Sequence, residues 1–141
     1  MTSPDPLPDT LTASIRIAAP PDVVFAYLID PPLLARWFGD ATGSTPEPGG
    51  AFALAFDDDS TSVQGRFVTI DPPKRVVFTW GVPDSDVLPP GSTTVEIVLT
   101  PDGTDTLLDL VHHDLPPSEL SSHQAGWTGL LHKLERVAAD G

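Results

Sequence analysis

The chain has no cysteine among its 141 residues, so disulfides and thiolate chemistry are both excluded. It is also poor in positive charge. Seven Lys and Arg stand against 20 Asp and Glu, a net charge of −13, and no basic cluster exceeds Lys74-Arg75. Nucleic acid and anionic membrane surfaces are recognised by clustered Lys and Arg that displace counterions, so neither is expected as a partner. No apolar run approaches the length of a membrane span, and no membrane insertion is expected. The opening MTSPDPLPDT lacks a basic n-region and an apolar h-region, so it does not read as a signal peptide, and a soluble cytoplasmic protein is the default. The acidity reads as composition and solubility rather than as a docking surface.

Apolar residues make up 40% of the chain, enough for one domain with one core at this length. Residues 1–10, with three prolines and two aspartates, read as a disordered leader, and residues 11–141 as the domain. LTASIRI (11–17) alternates Leu11, Ala13, Ile15 and Ile17 against Thr12, Ser14 and Arg16, the pattern of a half-buried strand. PDVVFAYLI follows Pro20 as a short helix with proline in its first turn, where the missing N–H costs little. DPPLLARWF (30–38) repeats the device, with Asp30 as a possible cap and Gly39 as a stop.

Five more strands are expected: 50–56, 62–70, 75–80, 92–100 and 104–113. Turn chemistry in DDDST, DPPK and PDGT makes them sequential antiparallel neighbours, apart from the longer loop at 81–91. The segment 62–70 carries apolar residues on both parities, which leaves the facing of Arg66 open. The last segment predicts a helix of about 20 residues, with Ser118 as its cap. Leu120, His123, Trp127, Leu130, Leu131, Leu134, Val137 and Ala138 share one stripe, while Ala125, Thr128, Gly129, His132 and Arg136 lie opposite. A sheet with one apolar face needs a cover, and this helix is the only long amphipathic element available. The expected class is therefore α+β, an antiparallel sheet of six to seven strands curled around the last helix.

Four segments together resemble the helix-grip fold of the START/polyketide-cyclase-like superfamily, and within it the bacterial homologues of the heat-shock-protein-90 ATPase activator. They are 19–39, GRFVTIDPPKRVVFTWG at 65–81, 93–116, and HQAGWTGLLHKL at 123–134. The resemblance implies an apolar cavity between sheet and C-terminal helix, which relatives use for lipids, polyketides or other hydrophobic small molecules; some relatives are cyclases. The eukaryotic activator binds its chaperone with an additional N-terminal domain. Only about ten residues precede the first strand here, so a chaperone partner is not expected.

Placed on that fold, Phe52, Leu54, Phe67, Phe78, Trp80, Ile97, Leu110 and Trp127 would line the cavity. His112 and His123 would offer hydrogen bonds, and Trp37 and Phe38 would border the mouth. Each has a plainer reading too. Trp127 also suits a core aromatic, Trp37-Phe38 a packing anchor, and the two histidines a pair of satisfied buried rings. Gly126 would let a strand or a ligand approach the helix backbone. Adjacent strand residues face opposite ways, so His112 and His113 do not share a metal ion, and DDD (57–59) lacks the spaced oxygens of a calcium loop. No nucleophile elbow, phosphate loop or dinucleotide fingerprint occurs. No catalytic residue is assigned, no metal or cofactor is implied, and binding of a hydrophobic small molecule is the expected function. A cyclase or hydrolase using His112 or His123, and a protein-interaction module with a filled core, are the alternatives. A monomer or weak homodimer is expected.

Overall fold

The computed structural model describes residues 10–41, 43–55, 62–83 and 85–139. Strand β1 (Leu11–Ile17) is followed by helices α1 (Pro21–Ile29) and α2 (Pro31–Leu34). Then come β2 (Ala51–Ala55), β3 (Ser62–Asp71), β4 (Arg75–Trp80), β5 (Thr93–Asp102) and β6 (Asp105–His113). A 3-10 turn at Pro117–Glu119 leads into α3 (Leu120–Ala139). Among the described residues the sheet is six-stranded and antiparallel in the order β1-β6-β5-β4-β3-β2, so every consecutive pair from β2 to β6 is a neighbour and β1 closes onto β6. This is the helix-grip architecture, with α3 packed along β1. That position covers a sheet edge that would otherwise offer unpaired backbone groups.

The register places the inner face in rows. Phe67 pairs with Phe78, Phe78 with Val95, Val95 with His112, and His112 with Leu11. A second row runs Val76, Ile97, Leu110, Ala13. The outer face carries Arg66, Glu96 and Asp109, with Arg75 donating to the Glu96 carboxylate at 2.6 Å. That hydrogen bond, above all, holds Glu96 below the usual carboxylate range. The two apolar parities of β3 have a structural cause. Its register against β4 shifts between Phe67 and Thr69, so Val63 and Phe67 are buried on one parity while Ile70 turns inward on the other.

Several local expectations are corrected. The helix expected over 30–38 is helical only to Leu34; the chain continues as turns whose amides at Phe38 and Gly39 both reach the Leu34 carbonyl. Asp30 stands at the cap position without a side-chain cap, because Pro31 and Pro32 have no N–H to offer and the Leu33 amide is taken by the Asp30 carbonyl. Ser118 is not the cap of α3 but lies inside the preceding 3-10 turn, which enters the helix without a break. Gly126 is not a point of close approach. It is exposed, and a Cβ there would meet no atom within 4 Å. The leader over residues 1–9, Phe56 and the DDDST turn lie outside the described residues. No helix among the described residues is long and apolar enough to cross a membrane.

Candidate functional site

The space between the sheet and α3 is occupied by rings. Phe52 stacks on Phe78 at 4.1 Å between centroids and meets Phe67 edge-on at 5.4 Å. Phe38 lies 5.8 Å from Trp80 and 5.4 Å from Trp127, and Trp80 lies 5.1 Å from Trp127. His112 and His123 join them, 5.5 Å apart and each edge-on to Trp80. Such pairs add about 0.5–1.5 kcal/mol each beyond the area they bury. The structure thus brings the rings among the expected site residues into one cluster, with Leu54, Ile97 and Leu110 buried in the same core. Apart from His123, whose side chain keeps 16% of its surface accessible, all of them are buried.

The α2 turn is what carries Trp37 and Phe38 into the cluster. Trp37 donates its indole N–H to the Tyr27 carbonyl on α1 at 2.8 Å. Arg36 donates to the Tyr27 hydroxyl at 2.8 Å, and that hydroxyl donates on to the Val137 carbonyl of α3 at 3.3 Å. Tyr27 and Arg36 therefore tie three elements together behind the cluster. Neither was expected to matter.

His112 is fully buried, and its hydrogen bonds form a directed chain. The Trp127 indole N–H donates to Nδ1 at 3.1 Å, since an indole nitrogen only donates. Nδ1 must then be bare and Nε2 protonated. Nε2 faces the Thr93 Oγ1 at 2.9 Å, and that hydroxyl spends its own proton on the Trp80 carbonyl at 2.8 Å. Both ring nitrogens are thus engaged inside the protein. Burial is the main reason the pKa of His112 is lowered to about 3, with the neighbouring His123 and His113 adding to it. A neutral, internally satisfied imidazole is a poor acid or base near neutral pH. Thr93, the hinge of this chain, was missed although it shares the parity of Val95, Ile97 and Leu99.

His123 differs. Its Nδ1 lies 3.0 Å from the Glu119 carbonyl, which can only accept, so in the neutral ring Nε2 carries the lone pair. No described residue bonds to Nε2. Trp80 has the complementary feature: its indole N–H is buried and finds no acceptor among the described residues. Trp37 and Trp127 both use theirs, so of three tryptophans only Trp80 keeps an unspent donor. Elsewhere, a largely apolar surface groove of about 510 Å³ runs past Pro21, Pro73, Lys74, Leu99 and Pro101, and it shares no residue with the cluster. Among the described residues, no three acidic or histidine side chains are placed to hold a metal ion.

A family model described as Activator of Hsp90 ATPase homolog 1-like protein matches residues 18–139. CalU16 from Micromonospora echinospora is similar at 26% identity and a TM-score of 0.77, over 92% of this chain and 76% of that one. Protein CV1439 from Chromobacterium violaceum shares the fold at 24% identity and a TM-score of 0.78, over 94% and 99%. The Aha1 dimer from Colwellia psychrerythraea shares it at 15% identity and a TM-score of 0.80, over 94% and 98%. No curated protein sequence matches significantly.

Proposed function

We propose that this chain, which belongs to the Activator of Hsp90 ATPase homolog 1-like protein family, binds a small, largely apolar molecule between its sheet and α3. One observation carries the reading. The ring that plugs the Trp80–Trp127 pair, Phe38, comes from the turn after a helix of only four residues. Two of those residues are prolines without an N–H, and a single turn of this length is marginal as a helix by itself. Turning the Phe38 ring outward exposes Trp37, Phe52, Trp80 and Trp127 as walls, while Trp37 stays anchored on the Tyr27 carbonyl and the sheet and α3 stay fixed. Apolar walls with a few unspent polar groups are what small-molecule sites require. We assign Phe52, Leu54, Phe67, Phe78, Trp80, Ile97, Leu110 and Trp127 to the lining and Trp37 and Phe38 to the mouth. His112 holds the wall in shape, and His123 supplies the polar contact.

A titration of isotope-labelled protein with flavonoids, fatty acids and polyketide-like aromatics, followed by amide and indole chemical shifts, tests this. Perturbation of Phe38, Trp80, His123 and Trp127 is expected. Shifts confined to Lys74 and Val98–Thr100 would move binding to the surface groove. Silence up to the solubility limit would leave a filled core, as a protein-interaction module has, and the ligand reading would be abandoned. The cytoplasm is the assigned compartment. A monomer or weak homodimer is the assigned state, and light scattering across a concentration series decides it.

A further inference from the structure

We infer that the molecule bound here carries a hydroxyl group, held between the indole N–H of Trp80 and Nε2 of His123. The inference rests on the binding reading above and deepens it. Leaving a buried N–H unpaired costs about 1–3 kcal/mol, and such exceptions in a native core call for a reason. Trp80 is 5% exposed, so solvent does not supply the missing acceptor. The His112 nitrogens are spoken for by Trp127 and Thr93, which excludes that ring as a partner for a guest. His123 Nε2 is the nearby polar atom left open, on a ring 6.2 Å from Trp80 by centroid. One oxygen making both hydrogen bonds, of about 2.9 Å each, requires the two nitrogens to lie no more than about 6 Å apart.

The two open valences are of opposite kind, and this selects the group. Trp80 offers a proton and neutral His123 offers a lone pair. A ketone or ether oxygen answers only the first, and an amine proton only the second. A carboxylate answers the first but sets a negative oxygen against the His123 lone pair, with the Glu119 carboxylate already 3.7 Å from that ring. A hydroxyl accepts from one and donates to the other. The aromatic walls make a phenol the best-matched carrier.

Three probes of one shape separate the two bonds: naphthol, methoxynaphthalene and naphthalene, titrated into the full chain at a pH where free histidine is neutral. Methoxynaphthalene should bind more tightly than naphthalene, and naphthol more tightly again, by about three- to tenfold per hydrogen bond. The Trp80 indole resonance should move downfield with the two oxygen-bearing probes only, while those of Trp37 and Trp127 keep their hydrogen-bonded positions. Trp80→Phe should erase the gain of methoxynaphthalene over naphthalene, and His123→Leu the gain of naphthol over methoxynaphthalene. Should either variant fail to fold, the indole resonance of the unaltered chain still decides. Equal affinities with interior shifts, as a resident water filling the gap would give, overturn the hydroxyl and spare the binding reading. No interior perturbation by any probe removes the binding reading and the inference with it.

Discussion

The indole N–H of Trp127 points at Nδ1 of His112 across 3.1 Å, and that contact sets the state of the imidazole. A proton added to Nδ1 would face another N–H, in a site already closed to water. His112 is therefore built to stay neutral, and it stands in the fold as a hydrogen-bond spacer between α3 and β5.

This gives a pH dependence with a definite sign. The folded pKa of His112 is lowered to about 3 from an ordinary value of 6.5. Between these values the unfolded chain binds a proton that the folded chain refuses, so stability falls as pH drops through that window. The stability is fully present above about pH 6.5, and its loss reaches at most about 5 kcal/mol at the lower end. Urea midpoints at intervals across this range should fall steeply for the parent. They should fall less for His112→Phe, whose ring takes up no proton. Parallel slopes would mean that other groups account for the whole loss.

Thr93 should be more sensitive to chemistry than to shape. Thr93→Val keeps the volume but leaves the buried His112 Nε2–H without its acceptor. One buried donor left unpaired predicts a loss of about 1–3 kcal/mol. Thr93→Ser keeps the hydroxyl and should lose less than about 1.5 kcal/mol, as small changes in packing do. Denaturant melts of the two variants decide between these values. A valine variant as stable as the serine one would mean that the hydroxyl chain contributes nothing.

Much of this site follows from periodicity, and its key details do not. The alternation of Leu108, Leu110 and His112 against Asp109 turns His112 inward, and the α3 stripe puts His123 and Trp127 on the covered face, as the structure has them. Thr93 obeys the same parity but sits at the start of its strand, where a threonine reads as an edge. That Val95 lies opposite His112, and that Thr93 then reaches its ring, depends on register between strands, which no local pattern encodes. The unspent indole of Trp80 was equally hidden. Recognising it needs every neighbour of a buried nitrogen, not the residue type.

Phe38 should behave as a removable plug. Phe38→Ala takes away the ring that meets Trp37, Phe52, Trp80 and Trp127, and large-to-small changes of this kind cost about 3–5 kcal/mol. The vacated space is apolar on those sides, and apolar cavities of this type take up small aromatics. Toluene or indole should therefore raise the melting temperature of Phe38→Ala and leave the parent unmoved. No rescue by either compound would show that the α2 turn collapses into the gap, leaving no separable plug.

The glycines give the clearest contrast between positions that need glycine and positions that do not. A Cβ on Gly65 would stand 1.9 Å from the Thr79 carbonyl oxygen of the neighbouring strand, and backbone cannot step aside without breaking the β3–β4 pairing. Gly126 and Gly129 lie on the exposed side of α3, where an added Cβ meets nothing within 4 Å. In a helix interior glycine is worse than alanine by about 0.8–1.0 kcal/mol, because it has more backbone freedom to lose. Gly126→Ala and Gly129→Ala should each stabilise the fold by nearly that amount, raising the melting temperature by about 3–5 °C. Gly65→Ala should destabilise by several times as much or prevent folding. Thermal melts of the three variants provide the test. Destabilisation by alanine at Gly126 would mean that the exposed face of α3 is covered by something in the folded protein, and would send the search for a partner there.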